Sequence, residues 1–449
     1  MTTVHGINVV LCLAGGLLLL PIAAFSMECL AALLPFRGKR AAAPTRPGDA
    51  DDQDDPRPRT AVLIPAHDEQ AVIGPTLHAI RPTLAEGDRL LVVADNCTDE
   101  TAALARALGA EVIERTDGLR RGKGYALQCG IAALAADPPD ALVIVDADCL
   151  VEPRTVEVLA RWAVVSRRPV QARNLTDRRP ADGPVEAVSI LANRFTNLVR
   201  PRGLGRLGAP CRLTGTGMAF PWALAVAVQP AGGSLVEDLQ LGIDLAMRGH
   251  RAEYCAEVGV TSELPEAGRA FASQRTRWEQ GHLRMMGQVP RLLLTGLRRR
   301  SWPLVAMAAD LSIPPLTLLV GLWLVFATLS GLACWLGGSV APAILAATGG
   351  AALAGSLGLG WIAFCRRQVP ARTLVAVPWY MVRKAPIYVR MIARRQKTWI
   401  RTERTPGSIY QQGLRVDYTS QDEATSHERT EARGGTARGD AVLGARGPH

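Results

Sequence analysis

"ALVIVDADCL", residues 141–150, is apolar for five residues and then breaks at Asp146, Ala147 and Asp148. Residues 141–145 are continuously apolar and rich in β-branched side chains, the pattern of a strand buried on both faces of a parallel sheet. Side chains alternate along an extended chain, so Asp146 and Asp148 are expected to point the same way. Like charges side by side repel unless a cation or water lies between them. Carboxylate oxygens are the ligands that Mg²⁺ and Mn²⁺ prefer. The competing reading is a solvated loop in which Asp148 caps the next helix, and a lone D-x-D does not separate the two.

The flanking sequence alternates strand and helix. Residues 60–64 read as a strand, 67–80 as a helix, and 90–94 as a strand. Residues 99–108 read as a helix with Thr98 as its N-cap, 111–114 as a short strand, and 123–135 as a helix leading into 141–145. Repeated βα units imply an α/β fold, a Rossmann-like, mostly parallel sheet with helices on both faces. Such sheets bind ligands beyond the carboxyl ends of their strands. At those ends stand "PAHDE" (65–69), "ADNCTDE" (94–100), "RTDGLRRGKG" (115–124) and "DADC" (146–149). Four polar strand ends on one edge weigh more than any one motif.

Composition adds a membrane. Of 449 residues, 48% are hydrophobic and 20% charged, and the net charge is +10. Three segments, 7–34, 311–336 and 340–365, are apolar over the ~20 residues a bilayer requires. The first has no basic n-region and is too long for a signal-peptide core, so it reads as a retained anchor. Arg37, Lys39 and Arg40 follow it, Arg298, Arg299 and Arg300 precede the pair, and Arg366 and Arg367 follow the pair. Positive charge favours the cytoplasmic side, which places the N-terminus outside and 37–300 inside, as in a multi-pass inner-membrane protein. No nucleic-acid-binding signature accompanies the basic balance. Nine scattered cysteines without a C-x-x-C pair argue against a zinc site or disulfide framework.

The remaining segments divide the chain. Residues 1–36 are the anchor, and 37–59, rich in Pro, Ala and Asp, a flexible linker. Residues 60–300 form the cytosolic domain, its end interfacial, and 301–366 a two-span hairpin. Residues 367–416 read as an amphipathic interfacial segment: Met381, Ala385, Tyr388 and Ile392 share one helical face, and Arg383, Arg390, Arg394 and Lys397 another. Trp379 and Trp399 would anchor it, and Pro386 would kink it. Residues 417–449 are polar and Gly-rich, and disorder is expected.

Five motifs occur in order: "PAHDE", "ADNCTD", "DAD", "VED" (236–238) and "QRTRW" (274–278). Together, over residues 60–278, they make the chain resemble the membrane-bound family 2 glycosyltransferases, among them the synthases of cellulose, hyaluronan and poly-N-acetylglucosamine, and ceramide glucosyltransferase. The resemblance implies a GT-A fold with transmembrane and interfacial helices, and a nucleotide-sugar donor, usually a UDP-sugar, with Mg²⁺ or Mn²⁺. It implies donor contacts for Pro65, His67, Glu69, Lys123 and Asp146, with Asp95 on the uridine. Asp148, with Asp146 beside it, would hold the metal. Asp238 would be the base that activates the acceptor hydroxyl. Glu237, Gln274, Arg275, Arg277 and Trp278 would line the diphosphate and acceptor end. The acceptor would be a glycan or a lipid, as in exopolysaccharide or glycolipid synthesis, and the transfer would invert the anomeric carbon of a hexosyl or N-acetylhexosaminyl group.

Each residue has a plainer reading. Asp95 and Asp99 suit a turn and a helix start. Lys123 suits a solvated helix start, and Glu237 and Asp238 suit the first turn of any helix. Trp278 suits an interfacial anchor. His67 and His282, each a lone histidine, suit packing or the surface, and Asp244 reads as structural. Three spans are fewer than a cellulose synthase uses for its channel, and no gating motif of that type follows. A nucleotidyltransferase would share the sheet and the aspartates, but would usually carry a Gly-rich, Arg-containing loop where this chain has "PAHDEQAVIG" (65–74). A non-catalytic membrane scaffold would share everything but turnover.

Overall fold

The computed structural model describes residues 2–35, 57–177, 183–228, 237–263 and 269–393. Most of the expected linker, the C-terminal part of the amphipathic segment with Arg394, Lys397 and Trp399, and the tail from 417 lie outside the described residues.

The chain opens with α1 (Thr2–Leu33). Then come β1 (Thr60–Ala66), α2 (Ile73–Ile80), β2 (Arg89–Asp95), α3 (Thr101–Ala107), β3 (Glu111–Arg115), α4 (Lys123–Leu134) and β4 (Ala141–Ile144). Next are β5 (Cys149–Val151), α5 (Thr155–Ser166), β6 (Val170–Asp177) and α6 (Pro184–Arg194), which a π-helical turn, Phe195–Val199, joins to α7 (Arg200–Arg206). After these lie β7 (Met218–Pro221), α8 (Trp222–Ala227), α9 (Glu237–Met247) and β8 (Glu253–Glu263). The described elements after β8 are helices: α10 (Arg269–Met286), α11 (Val289–Arg298), α12 (Trp302–Leu311), α13 (Leu316–Trp335), α14 (Ala341–Phe364), α15 (Ala371–Leu374) and α16 (Val377–Ala393).

The eight strands form one sheet in the order β3-β2-β1-β4-β7-β6-β8-β5. β1 to β4 pair in parallel, as the βα repeats imply, whereas β7 runs antiparallel to β4 and β6. β6 and β8 are parallel, with a register shift at Ala172/Arg173, and β5 closes the edge antiparallel to β8. The two-residue period sorts the side chains of β1. Val62 and Ile64 face one layer with Ile73, Leu77, Val156 and Leu159; Ala61 and Leu63 face the other with Leu127, Ile131, Leu241 and Leu245. α4 lies so close to β1 that a Cβ on Gly130 would sit 2.3 Å from Leu63 Cδ1.

Four local expectations differ from the structure. The helix expected over 67–80 starts only at Ile73, because Asp68 takes φ 52° and turns its carboxylate to the amide of Thr98 at 2.6 Å. Thr98 therefore does not cap the next helix; α3 begins at Thr101, whose amide donates to Asp99 Oδ1 at 3.0 Å. The apolar block expected from 311 is broken by Pro314 and Pro315, so α12 ends at Leu311 and α13 begins at Leu316. β4 stops at Ile144, and the Cys149 amide donates to Asp146 O at 3.2 Å. Asp146 and Asp148 thus sit on a turn that leads into a strand, not on an extended run or before a helix.

Among the described residues three helices are long and apolar enough to cross a membrane: His5–Leu33, Leu316–Trp335 and Ala341–Phe364. They pack on the sheet domain through Ile22, Phe25, Phe195, Val199, Leu319 and Leu353. A Cβ on Gly203 of α7 would stand 1.9 Å from Glu28 O of α1. Beside this contact, Arg200 donates to Glu28 Oε2 and Asp310 Oδ1, each at 2.6 Å, and Arg212 donates to Asp310 Oδ2 at 2.5 Å. Glu28, Arg200 and Asp310 are buried. His282 extends the network: Arg212 Nη1 lies 3.3 Å from its Nδ1, and its Nε2 donates to Ile313 O at 2.8 Å. Burial and Arg212 push the imidazole down to about 3, so it packs as a neutral ring. In α16 the buried stripe is Tyr380 and Lys384, with Lys384 paired to Glu279 of α10, while Trp379 and Val382 are exposed. All nine cysteines are free.

Candidate active site

Four chain segments meet beyond the carboxyl end of β4. The Asp146 amide donates to Thr216 Oγ1 at 3.1 Å, tying the DAD turn to the loop before β7. In that loop Gly215 and Gly217 take φ 87° and 62°, where a Cβ is disfavoured. Buried Gln171 holds the loop with its side-chain amide, accepting from the Thr214 amide at 2.9 Å and donating to Thr216 O at 2.9 Å. Lys123, the first residue of α4, donates to Gly215 O at 2.8 Å and to Asp146 Oδ1. From the start of α9, Glu237 Oε2 accepts the Gly124 amide at 3.1 Å. Asp238 and Lys123 both stand beside Gly215: a Cβ on that glycine would lie 3.3 Å from Asp238 Oδ2 and 3.1 Å from Lys123 Nζ.

The charges of these residues are coupled. Burial raises Asp238 above the ordinary aspartate value, and Lys123 opposes it. Burial pushes Glu237 up to about 7, again against Lys123. For Lys123 burial acts downward, but Asp146, Asp238 and Glu237 outweigh it and hold the ammonium above its ordinary value.

Oxygens of Asp146 and Asp148 and the sulfur of Cys149 lie within 4.8 Å of one another. Cys149 is buried, and burial and the two aspartates keep its thiol well above its ordinary value, hence protonated. What remains is a pair of carboxylates, short of a full shell. That fits a hard cation such as Mg²⁺ or Mn²⁺, which leaves coordination places for water and a diphosphate. One oxygen of Asp146 is engaged by Lys123, and Asp148 Oδ1 lies 3.7 Å from the Cys149 thiol.

The ends of β1, β2 and β3 form a second cluster. Asp95 is buried and accepts Arg115 Nη1 at 2.5 Å. Arg115 also donates to Asp117 at 3.0 Å and stands 5.7 Å over the Tyr125 ring. His67 Nδ1 lies 2.7 Å from Asp95 O, and the Glu69 amide donates to Thr101 Oγ1 at 2.8 Å. Pro65 is half-buried at the end of β1. Asp95 is therefore one half of an ion pair through Oδ1, which also accepts from Asn96, and Arg115 was missed. The signal was inside the quoted "RTDGLRRGKG", but its partner lies 20 positions away on another strand. The other residues missed are Gly215 and Thr216, flagged only by the alternating glycines of "TGTG" (214–217).

The Q-x-x-R-W segment lies on α10. Trp278 is 52% exposed, and the side chains of Gln274, Arg275 and Arg277 lie outside the described residues. Asp244 accepts Gln240 Nε2 at 2.8 Å within α9, in line with its structural reading.

A mixed α/β sheet with this strand order, carrying its polar cluster at the strand ends, is a GT-A-type fold. The chain belongs to the glycosyltransferase-like family 2, whose family model matches residues 56–281. The probable glycosyltransferase YdaM of Bacillus subtilis (strain 168) is 26% identical over 252 residues, 50% of this chain and 55% of that one. Glucosyl-3-phosphoglycerate synthase of Mycolicibacterium paratuberculosis is 31% identical over 236 residues, 45% of this chain and 68% of that one. The chain thus spans about half of the first relative and about two thirds of the second. Among solved structures, the mannosyltransferase PcManGT from Pyrobaculum calidifontis, in complex with GDP-Man and Mn²⁺, is alike in fold, with a TM-score of 0.54 and 20% identity over 88% of this chain and all of that one.

Proposed function

We propose that the chain is a membrane-anchored, inverting glycosyltransferase that moves a sugar from a nucleotide-sugar donor to a lipid or glycan acceptor. The observation that carries this reading is the meeting of Lys123, Asp146 and Asp238, from three separate elements, around Gly215. The donor's nucleoside lies at Asp95 and Arg115, and its diphosphate at the DAD turn. Asp148, with Asp146, would hold a divalent cation there, which would supply positive charge against the departing diphosphate. The co-crystallised GDP-Man and Mn²⁺ of the structural neighbour support this pairing of ligands. Lys123 fixes Asp146 and adds a positive charge to the same region. Asp238 takes the proton of the acceptor hydroxyl as it attacks. With Asp238 as base and the acceptor hydroxyl as the attacking group, the transfer is a single displacement, which inverts the anomeric carbon.

The basic flanks of the three apolar helices support an inner-membrane location with the sheet domain on the cytoplasmic side. With the catalytic edge and the apolar helices in one chain, glycolipid or exopolysaccharide synthesis is the setting that fits. The test is nucleoside diphosphate release by the full-length protein in membranes, across UDP- and GDP-sugars with Mn²⁺ and a lipid extract as acceptor. Release that depends on both sugar donor and acceptor supports the reading. No release with any donor, from folded protein, speaks for a scaffold.

A further inference from the structure

A second charged site lies away from the strand ends, where α14 stops. α6, the π-helical turn and α7 make one continuous helical run, and π turns inside such runs recur at functional sites. Arg194, Arg202 and Arg206 all lie on this run. Arg202 stands 5.6 Å over the ring of Phe364, the last residue of α14, and the charge of Arg194 acts on Cys365 beside it. The Nε atoms of all three arginines are buried without a hydrogen-bond partner. Among the described residues Arg202 and Arg206 form no ion pair, and burial together with Arg202 lowers the pKa of Arg206. Next to Phe364 opens a cavity of about 400 Å³, lined also by Ile362, Cys365, Arg366, Arg367 and Gln368. On the same helix Leu359 and Ile362 are 46% and 49% exposed.

We propose that Arg202 and Arg206, with the Arg366–Gln368 cavity, bind the phosphate headgroup of an anionic membrane lipid whose acyl chains lie along α14. Guanidinium groups pair with phosphate oxygens through parallel, charge-assisted hydrogen bonds, and basic pockets between helices at a membrane surface take such headgroups. Arg194 has Asp177 at 3.8 Å, whereas an anion beside Arg202 and Arg206 would offset the repulsion between their like charges. A lipid fits better than a free ion, because the cavity begins where the 24-residue apolar helix ends and shares the exposed Ile362 with its surface. The site rests on the reading that Ala341–Phe364 crosses a membrane.

The experiment uses the full-length protein, delipidated in a neutral detergent, and native mass spectrometry. The probes are a phosphatidylglycerol, a diacylglycerol with the same chains, and inorganic phosphate. Phosphatidylglycerol is expected to bind saturably, and the R202Q/R206Q double variant to lose about tenfold or more in affinity. That variant also loses the Arg202–Phe364 contact, so its thermal melt in the same neutral detergent is compared with wild type before the affinity is read. Equal phosphatidylglycerol binding by the variant overturns the site. Equal retention of diacylglycerol shows that the headgroup is not recognised, and equal binding of inorganic phosphate replaces the lipid by a free anion; either overturns the assignment. Alkaline carbonate washing of membranes tests the spanning helix separately: a chain that washes off fails that reading, and the lipid site with it, whatever the titration gives.

Discussion

Lys123 Nζ and the Asp238 carboxylate flank Gly215, close enough that a single added Cβ would touch both, at 3.1 and 3.3 Å. The ammonium therefore acts on the group proposed as the base, and the two are read together.

The first consequence is a pH dependence. Asp238 is effective only when ionised, and its pKa is raised above 3.8 by burial against the pull of Lys123. Turnover should fall as pH drops through that raised value, so the acid limb lies above the ordinary aspartate range. Lys123→Met removes the opposing charge and should move the limb to higher pH. A pH–rate profile of the residual activity checks this; a limb that stays in place or moves down excludes Asp238 as the titrating group.

Asp238→Asn should keep donor binding while kcat falls by about 10² to 10⁴, the usual contribution of a general base. Donor titration and turnover on the same preparation separate the two quantities. Near-normal turnover by a well-folded variant would rule the residue out.

The join between α1 and the sheet domain should be sensitive to single atoms. Gly203→Ala sets a methyl group against backbone, 1.9 Å from Glu28 O, where no side chain can swing aside. Overpacking of that kind costs about 1–3 kcal/mol. Glu28→Ala leaves buried Arg200 with only Asp310, and breaking a buried pair costs about 3–5 kcal/mol. Thermal unfolding in detergent should show both losses, with Gly205→Ala, where nothing stands within 4 Å, as the unaffected control.

Topology follows from the basic flanks. A reporter fused at the N-terminus should lie outside the cytoplasm, and one fused after Arg366 inside. Both reporters on one side would mean an even number of crossings between them, and the sheet domain would need reassigning.

Much of this was legible in the residues. The β-branched runs at 60–64, 90–94 and 141–144 form strands, and the four polar segments after β1 to β4 stand at one edge of the sheet in two clusters. What stayed hidden depends on distant partners. Asp68 breaks the expected helix start through a bond to Thr98, 30 positions on. Arg115 meets Asp95 only because β2 and β3 pair in register. Gly215 is marked in sequence only by the alternating glycines, and neither its positive φ nor the Gln171 bonds that hold its loop can be read there. The Glu28–Arg200 bond spans 172 positions, beyond any periodicity.

The central claim is that Asp148 holds a cation shared with the donor's diphosphate. Such a cation and a nucleoside diphosphate must raise each other's affinity by the same factor. Calorimetric titration of UDP and of GDP, with and without Mn²⁺, on wild type, Asp148→Ala and Asp146→Ala measures that factor. The expected result is clear positive coupling for one nucleotide in wild type, none in Asp148→Ala, and a partial remnant in Asp146→Ala, whose side chain is engaged by Lys123. Affinity for both nucleotides that ignores Mn²⁺, or coupling that survives in Asp148→Ala, would contradict it and leave the paired carboxylates a solvated turn.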